Sequence, residues 1–92
     1  MITGSKSDML EIILDLEGSI REWLVAERTT NDRIIGYRER MAKFGAKEYY
    51  EKQILEEEEL LINVQDIRKK RESFLEELKK SYNKQYGESF PV

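Results

Sequence analysis

The chain has 92 residues and a formal net charge of −3, and it contains neither cysteine nor histidine. These values exclude a disulfide framework, a thiolate metal site and the residue type most used for acid–base catalysis near pH 7. The acidic balance also argues against a general nucleic-acid binder. We therefore expect no enzymatic activity, no metal and no cofactor.

The first seven residues are short of apolar side chains after Met1 and Ile2, and we predict a flexible N-terminus at residues 1–7. They lack the apolar core of a secretory signal, and no run approaches the roughly 20 apolar residues that span a bilayer. We therefore expect a cytoplasmic protein with no membrane contact. Ser5 and Ser7 are candidate N-caps for a first helix, and Asp8 would place a negative charge in its first turn.

The first predicted helix covers residues 8–44. Its apolar residues recur at alternating steps of four and three, which is the spacing of a coiled coil. Eleven positions follow this spacing: Met9, Ile13, Leu16, Ile20, Trp23, Glu27, Thr30, Ile34, Tyr37, Met41 and Phe44. Nine of them are apolar, and Glu27 and Thr30 are the two polar exceptions. The unbroken phase predicts one continuous helix. The poor helix formers at residues 29–32 leave a kink or a short break there as the alternative.

Gly45 tolerates the positive φ with which many helices end, so we place a turn at residues 45–46. A second helix is predicted over residues 47–86, followed by a loose tail at residues 87–92 within one single domain. Two helices joined by so short a turn must lie antiparallel, which predicts an all-α, coiled-coil-like hairpin. Folding at the turn brings Ile13 near Leu78.

The charges form blocks that agree with this hairpin. Residues 8–27 carry six acids and one base, and residues 66–84 carry seven bases and four acids. Residues 28–47 carry six bases and two acids, and residues 48–59 carry six acids and one base. The turn at residues 45–46 lays each basic block against an acidic block. Complementary signs favour this pairing over others.

Both helices carry more apolar residues than one two-helix interface needs, which indicates further packing neighbours. A homodimeric four-helix bundle is the simplest closed solution, with a higher oligomer or a hetero-partner helix as alternatives. The residues that we expect at the self-association interface are Ile13, Leu16, Ile20, Trp23, Leu24, Ile34, Tyr37, Leu60, Leu61, Val64, Ile67, Phe74 and Leu78.

The run at residues 68–71 is the strongest candidate for a ligand site. Arg68, Lys69, Lys70 and Arg71 form one basic helical turn. The predicted pairing places Arg68 near Trp23, where a guanidinium over the indole would be favourable. This turn could bind the phosphate of a nucleotide or nucleic acid, with Trp23 as a stacking platform. The competing interpretation is a solvated turn whose arginines pair with acids on the first helix.

Three other polar groups favour structural roles. The four glutamates at residues 56–59 circle their helix and cannot converge on one metal ion. The basic residues Arg33, Arg38, Arg40 and Lys43 could hold phosphates, but they have these glutamates as nearby partners. Glu27 and Thr30 interrupt the apolar series, where polar residues can fix register or mark a bend.

No motif identifies a known family. Secreted Trp-x-Gly hairpins carry that motif at the turn, whereas this turn reads Phe44-Gly45-Ala46. We therefore expect a regulatory, adaptor or inhibitor protein that self-associates and binds another macromolecule, as small phage- or plasmid-encoded accessory proteins do. Binding of a nucleotide or nucleic acid through the basic turn is the alternative.

Overall fold

The computed structural model describes residues 6–87 as two long helices packed against each other. Helix α1 spans Lys6–Phe44 and helix α2 spans Lys47–Tyr86. The molecule measures 60 × 18 × 17 Å, as an antiparallel pair of such helices requires. The all-α hairpin predicted from the apolar spacing is confirmed. We call the end that carries the turn the tip and the other end the open end.

The start of α1 differs from the prediction. The helix already includes residues 6 and 7, which were predicted to belong to a flexible N-terminus. Ser7 therefore lies inside the helix, and its prediction as an N-cap is wrong. Ser5 and the rest of residues 1–5 lie outside the described residues, as do residues 88–92 of the predicted tail.

Helix α1 continues without a break through residues 29–32. The hydroxyl of Thr29 donates to the Val25 carbonyl at 2.9 Å, and that of Thr30 donates to the Ala26 carbonyl at 2.8 Å. These bonds satisfy both hydroxyls within the helix, because each shares a carbonyl of the preceding turn with the backbone. The alternative of a short break is wrong, because the coiled-coil packing outweighs the low helix propensity of this segment.

The turn consists of Gly45 and Ala46, which both have positive φ, at 78° and 45°. The Gly45 amide donates to the Met41 carbonyl at 3.0 Å, and the Tyr50 amide donates to the Ala46 carbonyl at 3.1 Å. Glycine adopts this backbone region without penalty, whereas the Cβ of alanine opposes it. Gly87, with φ of 64°, ends α2 in the same left-handed conformation.

The core is a single seam between the two helices. Its tightest part lies at the open end, where Met9 and Ile13 pack with Leu78 and Tyr82. The remaining buried residues continue the same spacing toward the tip: Ile20, Thr30, Ile34, Ile54 and Val64. The expected proximity of Ile13 and Leu78 is confirmed.

The seam uses five of the residues that we expected at an interface between chains. Ile13, Ile20, Ile34, Val64 and Leu78 are each at most 8 % exposed within one chain. A second molecule cannot reach them while the hairpin is folded. The sequence pattern marks these residues as buried, but it does not distinguish burial within one chain from burial between chains.

Neither described helix contains a stretch long and apolar enough to cross a membrane.

Candidate functional site

One long edge of the hairpin is closed by ion pairs between the helices. The Lys79 ammonium lies 3.1 Å from the Glu17 carboxylate, and the Arg38 guanidinium lies 3.1 Å from the Glu58 carboxylate. Leu24 falls on the same stripe of α1, seven residues after Glu17, and remains largely exposed. We call this side of the hairpin the salt-bridged edge.

The other long edge is lined by apolar and small side chains. Helix α2 contributes Leu60, Ile67 and Phe74, which are seven residues apart and therefore share one stripe. Helix α1 contributes Ile12, Ser19 and Ala26 at the same spacing, with Leu16 and Trp23 between them and the seam. A groove between the helices on this side is lined by Leu16 of α1 and by Ile67, Lys70, Arg71 and Phe74 of α2. We call these eight residues the apolar edge: Ile12, Leu16, Ser19, Trp23, Ala26, Leu60, Ile67 and Phe74.

The two edges face opposite directions. On α2, the apolar stripe through Leu60 and the polar stripe through Glu58 are two residues apart, which is about 200° around a helix. Ile12, Leu60 and Phe74 are 38 %, 43 % and 47 % exposed, so the hairpin leaves a large part of each side chain in contact with solvent. Toward the tip, an ion pair of 3.0 Å between Arg33 and Glu57 borders the apolar edge. The uncovered surface is thus limited to the middle and the open half of the hairpin.

A polar layer crosses the middle of the seam. The Glu27 carboxylate accepts a hydrogen bond from the Gln65 amide at 3.0 Å and another from the Arg68 guanidinium at 2.8 Å. Arg68 also donates to Glu72 at 2.8 Å. The bond from Gln65, followed by that from Arg68, lowers the pKa of Glu27 below its ordinary value. The bonds to Glu72 and Glu27 raise the pKa of Arg68, so the layer stays ionised at neutral pH.

Thr30, the second polar position in the predicted apolar series, is almost fully buried. Its hydroxyl donates to the Ala26 carbonyl and accepts a hydrogen bond of 3.3 Å from Arg33. Glu27 and Thr30 therefore have their polar partners within the hairpin. Such a layer matches only one register of the two helices, because a shifted seam would leave Glu27 without Gln65 and Arg68.

The four residues of the predicted basic turn lie in two different environments. Arg68 points into the seam and is occupied by two carboxylates. Arg71, rather than Arg68, lies over the Trp23 ring at 5.8 Å, so the expected pairing of Arg68 with Trp23 is wrong by one turn. Lys70 pairs with Asp66 at 3.0 Å on the exposed surface. Lys69 is also exposed.

The other charged groups are used mainly in structural pairs. Glu57 and Glu58, from the run at residues 56–59, bind Arg33 and Arg38 of α1. At the tip, Arg40 lies 5.6 Å from the centre of the Tyr37 ring. Within residues 6–87 no cluster of three or more acidic side chains is arranged to hold a metal ion.

The other residues expected at an interface have three different environments. Leu16, Trp23, Leu60, Ile67 and Phe74 lie on the apolar edge. Tyr37 packs near Tyr50 at 6.3 Å, and Leu61 is half-buried. Sequence reasoning missed Ile12, Ser19 and Ala26 as members of one surface. Their seven-residue spacing beside the seam was the signal that could have revealed them.

Compared with protein-family models, with curated protein sequences and with solved structures, the chain shows no significant match.

Proposed function

We propose that this protein is a non-enzymatic interaction protein that self-associates through its apolar edge into a homodimeric four-helix bundle. The observation that carries the proposal is the difference between the two long edges. Two ion pairs join the helices along one edge, whereas along the other Ile12, Leu60 and Phe74 are each at least 38 % exposed. Covering such a surface is the usual reason for a long hairpin to associate.

The dimensions of the hairpin agree with a stable dimer. The whole face is 60 Å long and 18 Å wide, so about 1,000 Å² per chain is the upper limit that a second hairpin could cover, compared with the roughly 800 Å² per partner that a specific interface usually buries. The apolar edge occupies the middle and the open half of that face, and exposed charged residues, among them Lys70 and Arg71, border it. An apolar centre with a polar rim is the common arrangement of protein interfaces.

A matched pair of double variants tests self-association. Leu60→Lys with Phe74→Lys changes two exposed side chains of the apolar edge. Leu55→Lys with Ile62→Lys makes the same charge change at two exposed positions elsewhere on the same helix. A dimer contains four altered side chains, each losing about 1 kcal/mol of burial, so the first variant should bind itself roughly a thousandfold more weakly.

The readout is the molecular mass by analytical ultracentrifugation, with circular dichroism showing that both variants remain helical. We expect the first variant to be monomeric at concentrations where wild type and the second variant are dimeric. A first variant that dimerises as well as the second would show that the apolar edge is not the interface.

The same dimer would leave a second surface for another macromolecule. Leu14 and Ile35 on α1, and Leu55 and Ile62 on α2, are at least 51 % exposed and lie away from the apolar edge. Apolar residues set among charged ones suit a regulatory or adaptor contact with another protein. In affinity capture from the native host, a specific partner should be retained by wild type and lost with Leu55→Lys, Ile62→Lys. Equal capture by both would exclude this surface.

One observation favours a second candidate function, the binding of a phosphate-bearing ligand. Arg71 is exposed and has no carboxylate partner in the described part of the chain, and its guanidinium lies beside the Trp23 ring. Lys69 and Lys70 are next to it. Titration of Trp23 fluorescence with nucleotides and short oligonucleotides at low salt tests this candidate. It requires a saturable change that Arg71→Gln weakens, and an unchanged signal would exclude it.

A further inference from the structure

We propose that the second copy docks on the apolar edge with its tip at the same end, so that α2 of each chain packs on α1 of the other. This arrangement has a two-fold axis parallel to the long axis of the hairpin. The inference rests on the proposed self-association, and it specifies which residues of the two chains meet. The opposite arrangement, with the tips at opposite ends, would pack each helix on its own copy.

The axial level of each residue follows from contacts within one chain. Ile13 of α1 packs with Leu78 of α2 at the open end, and the longer side chain of Arg68 reaches Glu27 in the middle of the seam. Together these contacts fix the level of a residue of α2 to within about one helical turn of α1. Counting along the helices places Phe74 near the level of Ser19. A two-fold axis parallel to the helices shifts neither chain along its length. Residues that share a level within one hairpin therefore also share it between the two copies.

The shapes of the two stripes favour this arrangement. Phe74 of one copy would meet Ser19 of the second copy, and by the same count Ile67 would meet Ala26. Large side chains then pack against small ones, which keeps the helices at an even distance. With the tips at opposite ends, Ile67 and Phe74 would meet their copies on the second α2. Ser19 and Ala26 would meet their copies on the second α1, where two small side chains fill less space.

The charges at the centre of the apolar edge favour the same choice. Glu22 is exposed on α1 and, like Arg71, forms no ion pair within residues 6–87. The shared level brings Glu22 of the second copy next to Arg71 and Lys70. Without Glu22, the second copy would cover Arg71 and place no negative charge beside it. Removing an unpaired guanidinium from water costs free energy. With the tips at opposite ends, Glu22 would lie against the second copy of α1, away from Arg71.

Spin-label distances distinguish the two arrangements. The chain has no cysteine, so Lys47→Cys and Lys84→Cys each provide one label, near the tip and near the open end. Both sites are exposed and lie outside the apolar edge. Packed helices are about 10 Å apart, so in the proposed dimer both variants should give distances below roughly 40 Å. With the tips at opposite ends, both distances should approach the 60 Å length of the molecule.

Sedimentation of the same labelled samples tests self-association separately from the arrangement of the two copies. Dimers with long distances in both variants would overturn the arrangement and leave self-association intact. A monomer would overturn both. Short distances in both variants are the result that we expect.

A charge exchange provides a second readout. Glu22→Arg and Arg71→Glu should each weaken dimerisation roughly three- to tenfold, and the double variant, which keeps the net charge, should recover most of that loss. Additive losses without recovery would overturn the contact between Glu22 and Arg71. Circular dichroism of each variant establishes that the helices are intact.

Discussion

Leu78 offers the most direct test of the seam within one chain. The side chain is 2 % exposed and packs with Met9, Ile13 and Tyr82 at the open end, where no turn holds the helices together. Leu78→Ala removes buried carbon atoms and leaves a cavity, a change that typically costs 2–5 kcal/mol. Two helices can close part of such a cavity, so we expect a loss of about 2–3 kcal/mol.

Urea unfolding followed by circular dichroism measures this loss at one fixed protein concentration. With a slope of about 1 kcal/mol per molar urea for a chain of this size, the midpoint should fall by about 2–3 M. Leu55→Ala is the matched control, because it is the same substitution on the same helix at a position 60 % exposed. Its midpoint should change by less than about 0.5 M. Equal shifts for the two variants would refute the assignment of Leu78 to the core.

Three further predictions concern the polar layer and the turn. The pKa of Glu27 is lowered in the folded protein, so its contribution to stability is complete above about pH 4.5 and is lost as the pH falls through the folded value. Urea unfolding at pH 7 and pH 3 should therefore show a smaller acid-induced loss for Glu27→Gln than for wild type, and an equal loss would contradict the layer. Thr30→Val keeps the shape of a buried side chain and removes one hydroxyl, so the free energy of unfolding should change by less than about 1 kcal/mol. A loss above about 2 kcal/mol would contradict this small contribution of the hydroxyl. Ala46→Gly should raise the free energy of unfolding by about 1 kcal/mol, because Ala46 has φ of 45° and glycine adopts this conformation without penalty. Gly45→Ala should lower the free energy of unfolding by a similar amount. A loss of stability with Ala46→Gly would contradict the left-handed turn.

The fold follows from the sequence because three local signals agree. The steps of four and three from Met9 to Phe44 predict one long helix, Gly45 predicts where it ends, and the charge blocks predict which segments face each other. The ion pairs between Glu17 and Lys79 and between Arg38 and Glu58 join the blocks that were expected to meet. Each of these signals is a position or spacing along the chain, so it can be counted from the sequence alone.

The exact pairing across the seam was less predictable. The prediction that Arg68 contacts Trp23 was wrong by one helical turn. Counting residues from the hairpin turn does not show how far a long side chain reaches along the helix. The hydrogen bonds of Arg68 to Glu27 and Glu72 determine its position, and these depend on the relative rotation of both helices. The left-handed conformation of Ala46 was likewise beyond prediction, since alanine rarely adopts it.

The candidate site could be predicted only in part. Leu60, Ile67 and Phe74 stand out as apolar residues beside the main stripe, but Ser19 and Ala26 carry no apolar signal. Their seven-residue spacing with Ile12 places them on one stripe of α1. That this stripe continues the apolar edge follows from the position of α2 beside α1. Sequence periodicity identifies the residues that need burial, and the packed structure shows which of them the hairpin itself buries.

Sedimentation equilibrium of the wild-type chain tests the central claim of self-association most directly. The chain has a mass of 11.0 kDa. At micromolar concentrations we predict a species of twice that mass which dissociates on dilution, because an interface of standard size gives finite affinity. A folded, helical species that keeps the mass of a single chain across the micromolar range would contradict the account.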